Sequence, residues 1–254
     1  MLLIDSDWLP FWHVLTRLGE AQILLPAAAL SLLVLVRQRQ GWPLARWWVG
    51  MLAVAVCMTT ASKLAFIGWG IGWPALDFTG ISGHAMFAAA VYPLLFATLV
   101  PPRPPAWPWL AMAAGATLAL LVGISRVTVH AHSWSEVVAG LMLGGLAGAV
   151  ALVRGRLLGC RTSLWVPLAT AAWLATMPLH APASQSHALV TRLAMTLSGR
   201  PKPYSRDDMR RTVPVVPGKP GAAHGAVIES ARRQPEGPPA LPPHGAAGTS
   251  PGPT

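Results

Sequence analysis

Charge is what this sequence has least of: only 11% of its 254 residues are Asp, Glu, Lys or Arg, against about 25% in a soluble globular domain. So few cannot coat a water-facing surface, and with 53% hydrophobic residues the default class is a membrane protein. Acids are scarcer still, 9 against 19 Lys and Arg, for a formal net charge of +10. That excess invites a nucleic-acid partner, but the basic residues are scattered between apolar runs or gathered in the C-terminal part. They form no stripe with aromatic platforms, which argues against nucleic acid. Cysteine is nearly absent. Cys57 and Cys160 stand far apart, so neither a disulfide framework nor a CxxC metal site is available. No secretory leader is expected either, because the first 20 residues carry Asp5, Asp7 and Glu20 in place of a basic start followed by an apolar core.

What is present is a series of six apolar runs, near 21–36, 47–67, 84–100, 109–124, 135–153 and 164–179. Each approaches the 20 or so residues that cross about 30 Å of hydrocarbon. The expected fold is therefore all-α, an integral-membrane bundle of about six transmembrane helices over residues 1–183. Gly140, Gly144 and Gly148 recur every four residues in the fifth run and predict a helix-packing seam. Residues 184–198 read as an amphipathic helix on the membrane surface. The Pro/Gly/Arg-rich residues 199–254 read as a disordered tail.

Basic residues divide the connections. Arg37, Arg39, Arg46, Arg103, Arg154, Arg156 and Arg161 fall in alternate loops that lack acids, whereas the other loops carry Asp77, Arg126 and Glu136. The positive-inside rule then places the arginine-rich loops in the cytoplasm and both termini outside, in a multi-pass inner (plasma) membrane protein. Tryptophans mark both interfaces: Trp42, Trp47, Trp48, Trp107, Trp109 and Trp165 on one side, and Trp8, Trp12, Trp69, Trp73 and Trp134 on the other.

Alternating helix directions bring four run ends to one side, the non-cytoplasmic one. They carry Lys63, Ser82-Gly83-His84, Ser125-Arg126, and His132 with Glu136. Ionisable groups at a bilayer edge are costly and usually functional. This set suits phosphate transfer. Ser82 and Gly83 at a helix start offer N–H groups and a hydroxyl to an anion. Arg126 can grip two phosphate oxygens, and Lys63 adds a point charge. His132 and Glu136, four residues apart, share a helix face, so the carboxylate can orient the imidazole as a nucleophile. His84 is then the general acid, and later the base for water.

Each residue also has a bland reading. Ser133-x-x-Glu136 is a capping box, Ser82 an N-cap, and Lys63 a snorkelling side chain. His13, His130, His180 and His187 are assigned to structural roles. Taken singly the bland readings prevail, but four such coincidences at one end of a bundle favour a site.

Ser82-Gly83-His84 and Ser125-Arg126-x5-His132-x3-Glu136 resemble the second and third motifs of the type 2 phosphatidic acid phosphatase superfamily. This superfamily is one of membrane lipid phosphatases, with vanadium haloperoxidase-like relatives. There the motifs read PSGH and SR-x5-H-x3-D. The resemblance covers roughly residues 47–155 and implies His132 as a phosphohistidine nucleophile, Glu136 as its orienter and His84 as the acid. It further implies a phosphate cradle of Lys63, Ser82, Gly83, Ser125 and Arg126, and no metal or other cofactor. Three departures stand out. The family's K-x6-RP becomes Lys63-x6-Gly70, so its arginine and proline are missing; Ile81 precedes Ser82 in place of proline; and Glu136 replaces aspartate.

The expected activity is hydrolysis of a lipid phosphate or diphosphate: phosphatidic acid, phosphatidylglycerophosphate or a polyprenyl diphosphate. The expected partners are that lipid and the bilayer. Two other readings use the same residues. One is a lipid phosphotransferase with the same intermediate. The other is a non-enzymatic membrane protein holding haem or metal through His84, His130 and His132, which Arg126 and Lys63 disfavour by repelling a cation.

Overall fold

A computed structural model describes residues 8–212 apart from 102, 103, 105, 156–162 and 183. Arg103, Arg156, Arg161, Cys160 and the tail from 213 to 254 lie outside the described residues. The described chain is helical throughout: α1 (Leu9–Arg17), α2 (Ala21–Arg37), α3 (Trp42–Trp69), α4 (Gly83–Leu99), α5 (Trp107–Thr128), α6 (Trp134–Gly155), α7 (Trp165–His180), α8 (Ser186–Ser198) and α9 (Arg206–Thr212).

Local sequence explains where these helices start and stop. Proline stands in the first turn of α1, α3 and α5, where its missing N–H costs nothing. Gly70 ends α3 in the left-handed region at φ 73, its N–H donating to the Phe66 carbonyl at 2.8 Å. The capping box at α6 is real: Glu136 N–H donates to Ser133 Oγ at 3.4 Å, and Ser133 N–H donates to Glu136 Oε2 at 3.2 Å.

Among the described residues three helices, α3, α5 and α6, are long and apolar enough to cross a membrane, and the pair α1–α2, bent by 46°, makes a fourth if counted as one span. The six expected crossings are thus not all full-length helices. α4 and α7 have 17 and 16 residues, about 24–26 Å at 1.5 Å per residue.

α4 is the hub, packed by α5, α6 and α2, with α3 closing against α6 and α8 against α3. Glycine sets how close the helices come. A Cβ at Gly144 of α6 would lie 2.2 Å from the Met86 carbonyl oxygen of α4, so only glycine admits that contact. The outer faces remain apolar and exposed, including Val54, Met58, Leu110, Leu120, Met142 and Leu146. Trp42, Trp107, Trp109 and Trp165 are exposed towards one end, and Trp8, Trp69, Trp73 and Trp134 towards the other. Trp48 departs from that belt: it is buried, its indole N–H donating to the Ala90 carbonyl at 2.9 Å.

The expectation of disorder from residue 199 is corrected for its first part. Residues 199–212 form a strap that ends in α9 and is anchored on α3. Met209 is buried with Phe66, Ile67 and Ala194, and Tyr204 N–H donates to the Ile67 carbonyl at 2.9 Å. Two large side chains, Tyr204 and Met209, pack a stretch whose average composition is that of a tail. The start of α9 carries a second capping box that sequence reading passed over, in which Ser205 N–H donates to Asp208 Oδ2 at 3.0 Å and Asp208 N–H to Ser205 Oγ at 3.2 Å. The Ser205 hydrogen bonds also hold the Asp208 carboxyl below its ordinary pKa.

Candidate active site

The ends of α3 and α5, the start of α4 and the α5–α6 loop meet around one cavity of about 580 Å³. Lys63, Gly83, His84, Arg126 and His132 line it. Lys63 does not snorkel away, since its Nζ lies 3.9 Å from where a Cβ of Gly83 would stand. Gly80, at φ 138, lets the loop before α4 fold down onto the Lys63 stem: a Cβ there would be 3.2 Å from Lys63 Cγ.

Glu136 sits behind the cavity wall, fully buried, and its two oxygens face different parts of the chain. Oε2 accepts from His132 Nδ1 at 2.5 Å and from Ser133 N–H at 3.2 Å. Oε1 accepts from Thr79 N–H at 2.7 Å, Thr79 Oγ1 at 2.5 Å and Arg206 at 2.8 Å. Orienting His132 and capping α6 are therefore one act and not competing roles. With Nδ1–H given to a carboxylate, the His132 lone pair is on Nε2. Burial is the main influence on this ring and lowers its pKa; Lys63 and Arg126 push the same way, while Glu136 opposes. That direction favours the neutral ring.

Ser82 and Ser125 are both fully buried, and they differ. Ser125 Oγ donates to the Val122 carbonyl of its own helix at 2.6 Å, which takes its proton away from any cradle. Ser82 stands at the N-cap of α4 in extended backbone yet makes no capping bond, and its hydroxyl has no partner among the described residues. Its N–H is used, donating to the Glu136 carbonyl at 3.1 Å. Arg126 donates from one terminal nitrogen to Thr16 Oγ1 at 2.9 Å, while its buried Nε has no partner among the described residues. Buried donors without acceptors are uncommon and ask for an explanation.

Sequence reasoning missed four contributors. Thr16 steadies Arg126, Thr79 and Arg206 hold Glu136, and His187, assigned to a structural role, lines the cavity from α8. Burial together with Lys63 lowers the His187 pKa. Of the other histidines, His130 stands exposed in a left-handed turn at φ 55, and His180 bonds within its own helix to the Thr176 carbonyl at 2.9 Å. Among the described residues no three His, Cys, Asp or Glu side chains gather as metal ligands.

A family model described as the PAP2 superfamily matches residues 71–157, the segment that carries Ser82 through Glu136. The chain is 34% identical over 204 residues to an uncharacterized 22.5 kDa protein in the cps region of Klebsiella pneumoniae. That alignment covers 79% of this chain and 98% of the relative. No solved structure is significantly similar. On its motifs, its helical fold and this relative, the chain belongs to the PAP2 superfamily, whose members are generally phosphatases.

Proposed function

We propose that the cavity is the active site of an integral-membrane phosphatase that hydrolyses a lipid phosphate or diphosphate through a phosphohistidine, without metal or other cofactor. The carrying observation is the His132 Nδ1–Glu136 hydrogen bond of 2.5 Å, set in a cavity that Lys63, Arg126 and His84 also line. The pair fixes the tautomer, and two cations stand where the three phosphate oxygens gather charge.

His132 Nε2 gives its lone pair to phosphorus as the bond to the leaving oxygen breaks, and His84 hands that oxygen its proton. In the second half His84 takes a proton from water, whose oxygen attacks phosphorus as the P–N bond breaks, releasing phosphate. Arg126 and Lys63 hold the non-bridging oxygens. Arg126 Nε, the Ser82 hydroxyl and the open start of α4 at Gly83 are the remaining donors suited to them.

Phe66, Ile67 and Phe87 wall the same cavity. This mix of cations and apolar side chains suits a phosphate at headgroup depth whose hydrocarbon stays in lipid. Phosphatidic acid, phosphatidylglycerophosphate and polyprenyl diphosphates share that chemistry. The short loops at this end, 70–82 and 129–133, hold no arginine, which supports a reaction on the non-cytoplasmic face of the plasma membrane.

The test is release of inorganic phosphate from these lipids in detergent, with His132→Asn as control. We expect at least a 10³-fold loss with the protein still made and membrane-embedded, as for removal of a covalent nucleophile. Undiminished turnover by that variant would end the phosphohistidine mechanism.

A further inference from the structure

The strap of residues 199–212 lies beyond the matched family segment, yet it reaches the centre of the site. Its docking is specific. A Cβ at Gly70 would stand 3.2 Å from the Tyr204 ring, so the ring packs directly over the left-handed glycine that ends α3. The ring meets Phe66 edge-on at 5.5 Å, and Arg200 lies over it at 5.3 Å. Met209 is 3% exposed in the same cluster. Together these fix the backbone on both sides of Arg206.

The Arg206 guanidinium is divided between two carboxylates. One nitrogen donates to Glu136 Oε1 at 2.8 Å and to Thr79 Oγ1 at 3.2 Å. The other donates to the Asp77 carbonyl at 3.0 Å and to the Asp77 carboxylate. The charged and titratable groups around His132 and Glu136 come from every neighbouring element: Lys63 of α3, Asp77 of the loop before α4, His84 of α4, Arg126 of α5, His187 of α8 and Arg206 of the strap. Arg206 is the one cation of this set bonded to the carboxylate.

We propose that Arg206 is a positioning residue for the nucleophile, clamping Glu136 so that its other oxygen holds His132, and that residues 199–212 are a working part of the active site. This rests on the phosphatase reading of the cavity. A fully buried carboxylate with only a neutral imidazole and a threonine for company would strongly favour a second proton on the imidazole. Arg206 offsets that charge, so Glu136 orients the ring without turning it into a cation. Both terminal nitrogens are spent on carboxylates, so the role differs from gripping substrate phosphate.

Arg206→Ala in the full chain should lower kcat at least tenfold with KM within about twofold, because the side chain, although it lines the cavity, has both terminal nitrogens bonded to protein carboxylates. Removing a positive charge beside Glu136 should raise the pKa of His132, moving the acid limb of kcat/KM to higher pH. Arg206→Lys should recover part of kcat and return the limb towards wild type. Met209→Ala, which loosens the strap without touching the site, should shift both in the same direction, and its effect should largely vanish in the Arg206→Ala background. The titration of His132 is also followed by NMR, its resonance assigned by its loss in His132→Asn. If wild-type protein releases no phosphate, the phosphatase reading fails, and the NMR shift still tests the clamp. An unchanged kcat, a loss confined to KM, or a His132 titration unmoved by Arg206→Ala would overturn the proposal. Should Arg206→Ala fail to fold, Met209→Ala carries the same kcat and titration criteria.

Discussion

Two stretches of α4, about a turn apart, are packed by opposite rules. From Met86 to Leu95 the helix is sealed. Gly144 and Gly115 bring neighbouring backbones against Met86 and Tyr92, and the polar atoms there find partners: Tyr92 Oη donates to the Leu18 carbonyl at 2.8 Å, and Trp48 to the Ala90 carbonyl. At the first turn, Ser82 keeps a buried hydroxyl that has no partner among the described residues, and His84 opens onto the cavity that Arg126, its Nε likewise without a partner there, also lines. The sealed stretch fixes where the helix ends lie. The unfinished one leaves donors for a ligand, at a stability cost of about 1–3 kcal/mol for each group left unmade. Rigidity and binding capacity are separated along a single helix, which is how a preorganised anion site is supported.

The hardest way to break this contrast is to put a side chain into the seam. Gly144→Val places Cβ 2.2 Å from a backbone oxygen that cannot yield without moving α4. Overpacking of this kind costs about 1–3 kcal/mol or more, and because α4 carries His84, activity should fall with stability. Gly145, one residue on, has nothing within 4 Å of its would-be Cβ, so Gly145→Ala should gain up to about 1 kcal/mol from helix propensity. Thermal unfolding in detergent separates them. Equal destabilisation by both would mean the seam is not what holds α4.

The unfinished end should behave in reverse. Ser82→Ala removes a hydroxyl that bonds nothing among the described residues, so the melting temperature should stay level or rise. Inhibition by inorganic phosphate should weaken roughly tenfold, the worth of about 1.4 kcal/mol. Tyr92→Phe in the sealed stretch should do the opposite, costing about 1 kcal/mol of stability while leaving phosphate inhibition alone. A Ser82→Ala protein that melts lower and binds phosphate normally would make that hydroxyl structural.

The same contrast explains what the sequence could and could not disclose. His132 and Glu136 were legible because they lie four residues apart and their pairing is local, as is the capping box that shares Glu136. The apolar runs were legible because each helix carries its own pattern. Ser125 was read by its neighbour: adjacency to Arg126 puts it at the right helix end, but its rotation within α5 returns its hydroxyl to Val122. Arg206 bonds a carboxylate 70 residues earlier in the chain. No spacing rule reaches that far, and averaging 199–254 as one composition hid Tyr204 and Met209. Trp48 failed for a related reason, since an indole near a helix start is the same in sequence whether it faces lipid or core.

The smallest expected effect needs no substitution. On the proposed mechanism His132 attacks only while it is neutral, so kcat/KM should fall as pH drops through the pKa of that ring. Burial, Lys63 and Arg126 hold this pKa below the ordinary 6.5, and the hydrogen bond to Glu136 opposes them without reversing the sign. After correction for the substrate's own ionisation, the acid limb should therefore lie below pH 6.5. It should stay in place in Ser82→Ala, which changes no charge, whatever that variant does to phosphate affinity. A limb above pH 7 would mean that Glu136 outweighs burial and that His132 rests largely as an imidazolium at neutral pH. The nucleophile would then have to lose a proton before each turnover, and the unfinished end of α4 would be prepared for binding phosphate but not for attacking it.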